Sequence, residues 1–321
     1  MNIRKPDMFN LAEEGGNRKL GKQILNFILV FILASIIASI PTIILSIMDT
    51  MELMNSGLST DEINIAIETL SNSRKYMYVS LFSTILSSIV VVLYCCKKQK
   101  RSLRSIGFTR KNAVRDYIIG ILIGFVMFSL VVGLNILTGA MTIDMAAENF
   151  SFTTLGFILL FFIGFVFQGA EEEILTRGYL MVNVGAKHKT ITALLVSAII
   201  FAVLHGFNPG ITILSLINLV LIAIFFGLYI ICFDNIWGAC AILSVWNFVQ
   251  GNFYGIKVSG INMFDSIFVS TSVPGKEFIN GGTFGAEGGI ATTIVTVLSI
   301  VLLLIYMKKR GQIEMNAAEK N

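Results

Sequence analysis

The stretch FVFQGAEEEILTRGYL, Phe165 to Leu180, places three consecutive glutamates and an arginine directly behind an apolar run long enough to cross a membrane. Whether those acids lie inside a bilayer or just outside it decides how the chain is read. Composition gives the setting: of 321 residues, 55% are hydrophobic and 14% charged. The mean hydropathy is +0.79, too apolar for a soluble domain, whose surface needs substantial polar cover.

Working outward, the apolar run before the glutamates is one of several. No charged residue falls between Lys22 and Asp49, Lys75 and Lys97, Asp116 and Asp144, or Glu148 and Glu171. Each gap holds one helix of the roughly 20 residues that a bilayer requires. The longer charge-free run from Thr190 to Phe233 is broken by HGFNPG, His205 to Gly210, and so gives two more. Ile236 to Gln250 supplies a short seventh and Gly288 to Met307 an eighth. The expectation is an all-α integral membrane protein of about eight transmembrane helices. The first run is too long for a signal peptide and is expected to be retained as a helix bent near Pro41.

Basic residues set the orientation, because Lys and Arg in short loops are retained in the cytoplasm. Arg4, Lys5, Arg18, Lys19 and Lys22 precede the first span, and Lys97 to Arg115 carries eight basic residues and no acid. The loop from Asp49 to Lys75 is acid-rich, and Asp144 and Glu148 stand without a base. Both termini are therefore expected to be cytoplasmic. The net charge of +4 is loop asymmetry and calls for no nucleic acid. The implied segments are a cytoplasmic leader over 1–21, three spans over 22–148, a core over 149–252, an outer loop over 253–287 and a last span with a basic tail over 288–321. That outer loop is either a lid or a disordered connection. Cys95, Cys96, Cys232 and Cys240 read as small apolar side chains, since their placement suits neither a disulfide nor a zinc cluster.

If the fourth helix continues through LTRGYL, Glu173 and Arg177 are four residues apart and pair on one face, while Glu172 points about 100° away. The blander reading is a solvated acidic face on a helix that has emerged into cytoplasm. His205 ends the apolar FAVLH helix, where it is a hydrogen-bonded bridge between helices, a base or a metal ligand. His188, in AKHKT, reads as loop filler. Asn247, in SVWNFVQGN, must find partners in an apolar helix, as helix glue or as a donor to an oxyanion.

EExxxR, then FxxxH, then an asparagine-bearing helix resembles the CAAX-processing and bacteriocin-processing (CPBP, or Abi) membrane endopeptidases, over about Phe152 to Asn252. Glu172, Glu173 and Arg177 match the first motif, and Phe201 and His205 the second. The third motif is commonly HxxxN; here Asn247 stands alone, because four residues earlier lies Leu243, which has no hydrogen to donate. Ser244, Gln250 and Asn252 are the neighbours that could take its place. The resemblance implies that Glu172 acts as general base on a water shared with His205, that Asn247 donates to the oxyanion, and that Glu173 and Arg177 form a supporting pair.

Metal dependence stays open. The family is often labelled as metalloproteases, yet one histidine and two carboxylates make a poor zinc set, which slightly favours metal-free glutamate chemistry. Counted from a turn near Ala186, Glu172 and His205 differ in depth by roughly 7 Å, a gap that tilt would have to absorb. Three readings follow. The first is an endopeptidase of the cell membrane acting on a peptide or membrane-protein tail. The second is a family member weakened by Leu243 that works by binding, as in bacteriocin self-immunity or as a scaffold. The third is a transporter, disfavoured because no internal repeat is present.

Overall fold

The computed structural model describes residues 2–13, 18–146 and 151–314. Glu148 and the end of the basic tail lie outside the described residues. Strand β1 (Asn2–Ile3) and helix α1 (Asp7–Asn10) precede α2 (Leu20–Met54), which runs unbroken through Pro41. The hairpin helix α3 (Thr60–Ser71) starts at a capping box in which Ser59 and Glu62 satisfy each other's backbone amides. Then come α4 (Arg74–Leu93), ending in a wide turn over Tyr94–Lys98, α5 (Leu103–Ile106), α6 (Ala113–Leu137) and β2 (Met141–Met145).

The fourth span is α7 (Phe152–Glu173), which passes through π-helical turns over Ile174–Met181 into α8 (Val182–Lys187). After it come α9 (Thr190–Leu204), α10 (Ile213–Phe233) and α11 (Trp237–Phe248), the last widening into a π turn over Val249–Phe253. Strand β3 (Phe268–Ser272), α12 (Glu277–Asn280), α13 (Ile290–Lys309) and β4 (Ile313–Glu314) complete the chain.

All eight expected apolar segments are helical, and six of these helices are long and apolar enough to span a bilayer. The chain is a multi-pass membrane protein. Of the two shorter segments, α11 with 12 residues lies inside the bundle, whereas α9 with 15 keeps an exposed face of Ile191, Leu195, Ile199 and Val203. Protein rather than lipid surrounds most of α11, where every residue from Gly238 to Asn247 is buried. Lipid-facing α2 is the opposite case: Ile36, Ile43, Ile44 and Ile47 are all more than half exposed.

Two close approaches seat α11. Gly124 of α6 lies so near Ile242 that a β-carbon there would stand 2.6 Å from its carbonyl oxygen. At Gly169 of α7 a β-carbon would stand 2.7 Å from the backbone nitrogen of Ser244. Small residues at a helix crossing let backbones touch, and the dispersion gained there holds helices together where lipid offers no hydrophobic drive.

Two segments outside the spans are packed on the bundle. In the leader, Met8 and Phe9 are buried, the Met8 amide donates to Asp234 at 3.0 Å, and β1 pairs antiparallel with β4. The outer loop is ordered rather than a disordered connection. Its strand β3 pairs with β2, with Met141 opposite Ser272, and Asn252 ties the loop down by donating to the carbonyls of Phe264 and Asp265.

Candidate active site

The three glutamates of the opening stretch go three ways. Glu171 turns to α4, where Ser87 donates to it at 2.6 Å. Glu173 turns into the core and takes an Arg177 N–H at 2.7 Å, both side chains being fully buried. Glu172, between them, faces α9. A solvated acidic face is thereby excluded: successive helix positions 100° apart send the carboxylates to three different neighbours.

Arg177 needs more than one carboxylate at such depth. Its guanidinium also donates to Thr176 Oγ1 at 2.6 Å and stacks over the rings of Phe201 and Phe226, with centroids at 4.5 and 5.5 Å. An aromatic face offers a desolvated cation some of the attraction that water no longer supplies. The pair thus fixes α7 against α9 and α10 directly behind Glu172.

Phe201 links this support to the histidine. Its carbonyl oxygen stands 2.9 Å from His205 Nδ1, and its ring packs on the imidazole at 4.6 Å between centroids. A proton on Nδ1 directed at that carbonyl leaves Nε2 turned to Glu172 Oε1 at 3.8 Å. That separation is too long for a direct hydrogen bond and suits a bridging water.

The expected depth mismatch disappears because the turn falls at His188 and Lys189 rather than near Ala186. Glu172 lies 15 residues before Lys187, where α8 ends, and His205 lies 15 residues after Thr190, where α9 begins. Equal lengths of helix bring the two to the same level.

Asn247 reaches the same place through a residue that the sequence reading missed. Its Nδ2 donates to Gln168 Oε1 at 2.9 Å, and the Gln168 amide in turn donates to Glu172 Oε1. Gln168 stands four residues before Glu172 on the same helical face, a spacing that was there to be read. Two more members come from afar. Glu287, just before α13, accepts from the Ser259 hydroxyl at 2.7 Å and lines the cavity. Burial raises its carboxyl above the ordinary range, with the Ser259 hydrogen bonds and nearby His205 pulling the other way. Asn208, in the HGFNPG turn, also lines the cavity, with no side-chain hydrogen bond among the described residues.

These groups surround a cavity of about 240 Å3 whose wall includes Leu243 where a histidine would complete the third motif. None of the three neighbours considered as replacements lines it. Ser244 donates to the Cys240 carbonyl at 2.7 Å, Gln250 to the Lys257 carbonyl, and Asn252 is spent on the outer loop. Zinc does not fit this donor set. Among the described residues no group of three or more His, Cys, Asp and Glu side chains converges, and Glu173 is engaged by Arg177.

Residues 154–249 match the family model described as type II CAAX prenyl endopeptidase Rce1-like. Over that stretch the chain is similar to this membrane endopeptidase family. The matched stretch runs from the first turn of α7 through α11, and includes Gln168, Glu172, Glu173, Arg177, His205, Asn208 and Asn247. No curated protein matches the chain.

Proposed function

We propose that the chain is an intramembrane endopeptidase that hydrolyses a peptide bond with a water activated by Glu172. The observation that carries this is the pairing of Glu172 with His205 Nε2 at 3.8 Å in one cavity, with the carboxylate held by Gln168. Glu172 accepts a proton from the water as its oxygen adds to the carbonyl carbon, and His205 holds that water in line. Asn208 and the second N–H of Asn247 are the amides within the cavity that donate to the resulting oxyanion. Collapse breaks the C–N bond, and Glu172 returns the proton to the leaving amine. Arg177 and Glu173 hold α7 and Phe201 in place and touch no reacting atom.

A second reading rests on Leu243. With an apolar side chain in place of a donor, and Ser244, Gln250 and Asn252 engaged elsewhere, the same scaffold serves as a weakened enzyme acting by binding, as in self-immunity against a bacteriocin or as a scaffold. The test is cleavage of a library of hydrophobic-tailed peptides by the purified protein in detergent, beside Glu172→Ala, His205→Ala and Leu243→His. Cleavage abolished in the first two and enhanced in the third supports the endopeptidase. Cleavage appearing only in Leu243→His supports the binding scaffold.

A further inference from the structure

The candidate site continues beyond its cavity. A second cavity, of about 850 Å3, lies between the ends of α2 and α4 and the outer loop, and it shares Ser80, Leu81, Ile261 and Met263 with the wall of the first. The side chains that the two spaces share come from one helix and one loop. The inner cavity, at about 240 Å3, falls below the range of about 300–1,000 Å3 usual for a ligand site, whereas the second lies within it. A scissile bond fits the first, and the chain on either side of that bond needs the second.

We infer that this second cavity is the substrate groove, that it opens on the extracytoplasmic side of the membrane, and that it takes an extended, uncharged segment of an exported or membrane-anchored polypeptide. This rests on the endopeptidase reading above. The chemistry of the occupant follows from the wall: no Lys, Arg, Asp or Glu lines the groove, whose hydroxyl and amide groups alternate with apolar side chains. A charged segment would lose its hydration there and find no partner.

The side follows from charge. At the groove's end of the bundle the described basic residues are Arg74, Lys75, Lys257 and Lys276, the first two paired with Asp265 and Asp49. The opposite end carries the Lys97 to Arg115 loop, Lys187, Lys189 and the cluster from Lys308 to Arg310. Retention of basic loops in the cytoplasm places the groove outside. Its mouth is flanked by α2, whose Ile43 and Ile44 are each 52% exposed, so the route also borders the outer leaflet.

The experiment combines labelling with cleavage in the full chain. Ser80→Cys, in the shared wall, is expected to react with a membrane-impermeant maleimide added to intact cells, against the unsubstituted chain as blank. Ser46→Trp, which narrows the mouth, is expected to slow that labelling about tenfold and to lower kcat/KM for an extended peptide about tenfold, the effect of one lost contact's worth of binding. It is expected to lower cleavage of a dipeptide amide, too short to reach the groove, by much less than that of the extended peptide. Ile44→Trp, on the lipid face of the same helix, controls for folding. Labelling only in inverted vesicles overturns the side. Equal effects of Ser46→Trp and Ile44→Trp overturn the groove. Labelling as expected with no cleavage of either peptide keeps the extracytoplasmic opening and overturns the endopeptidase reading together with the substrate groove that rests on it.

Discussion

In the proposed mechanism Glu172 is the residue on which the chemistry turns, and its surroundings say what each neighbour would contribute. Replacing it by Gln keeps the shape but removes the proton acceptor, so single-turnover cleavage is expected to fall by about 10²–10⁴, the usual share of a positioned base. Gln168→Ala leaves Glu172 without its hydrogen-bond anchor and Asn247 without its acceptor; it is expected to lower kcat while leaving thermal stability close to the parent. Leu243→His restores a donor to the cavity wall, and a gain of about 10²–10³ in kcat is the expectation. The motif residues were legible because their spacing is local: Glu173 and Arg177 meet on one helix, and so do Phe201 and His205. Glu287 and Ser259 were not, since they enter from the outer loop, whose course depends on tertiary packing. Asn208 hid in a turn that reads only as a helix breaker.

Helices carry these groups to one place only because two of them can touch. Gly169→Val in α7 would drive a β-carbon into the Ser244 backbone and push α11 away, separating Asn247 from Gln168. Overpacking of this kind costs about 1–3 kcal/mol, so a lowered unfolding temperature together with lost cleavage is expected. Gly133→Val in α6 meets nothing within 4 Å and serves as the matched control; equal damage from both would show that the α7 and α11 contact is not what seats the site. The apolar runs gave away every helix of the bundle, because a charge-free stretch of that length has few other fates. Where the turn after α8 falls was harder to read. Lys187 belongs to the helix and Lys189 caps the next, so charge alone does not mark the corner. The ordered outer loop was likewise hidden, since its hold on the bundle comes from β2 and from Asn252, neither of which announces itself in a Gly- and Ser-containing stretch.

Across the whole molecule, the basic end of the bundle is also where the two termini meet. β1 pairs with β4, the Phe9 ring fills the space beside Gly185, and Lys5 donates to the Ala186 carbonyl at 3.2 Å. The leader is therefore a clamp across the turn between α8, which continues the helical run that carries Glu172, and α9, which ends at His205. Charge predicts that reporter fusions at either terminus of the full chain are active only in the cytoplasm. Packing predicts more. Phe9→Ala removes a fully buried ring and is expected to cost about 3–5 kcal/mol, whereas Leu11→Ala, at 45% exposure, is expected to be near neutral. If the clamp sets the alignment of these helices, Phe9→Ala lowers cleavage at temperatures where the bundle is still folded, and the loss is read by comparing the activity and unfolding midpoints of one sample. Coincident midpoints would make the clamp a contributor to global stability alone; an activity midpoint well below the unfolding midpoint would tie the N-terminus to the geometry of the site.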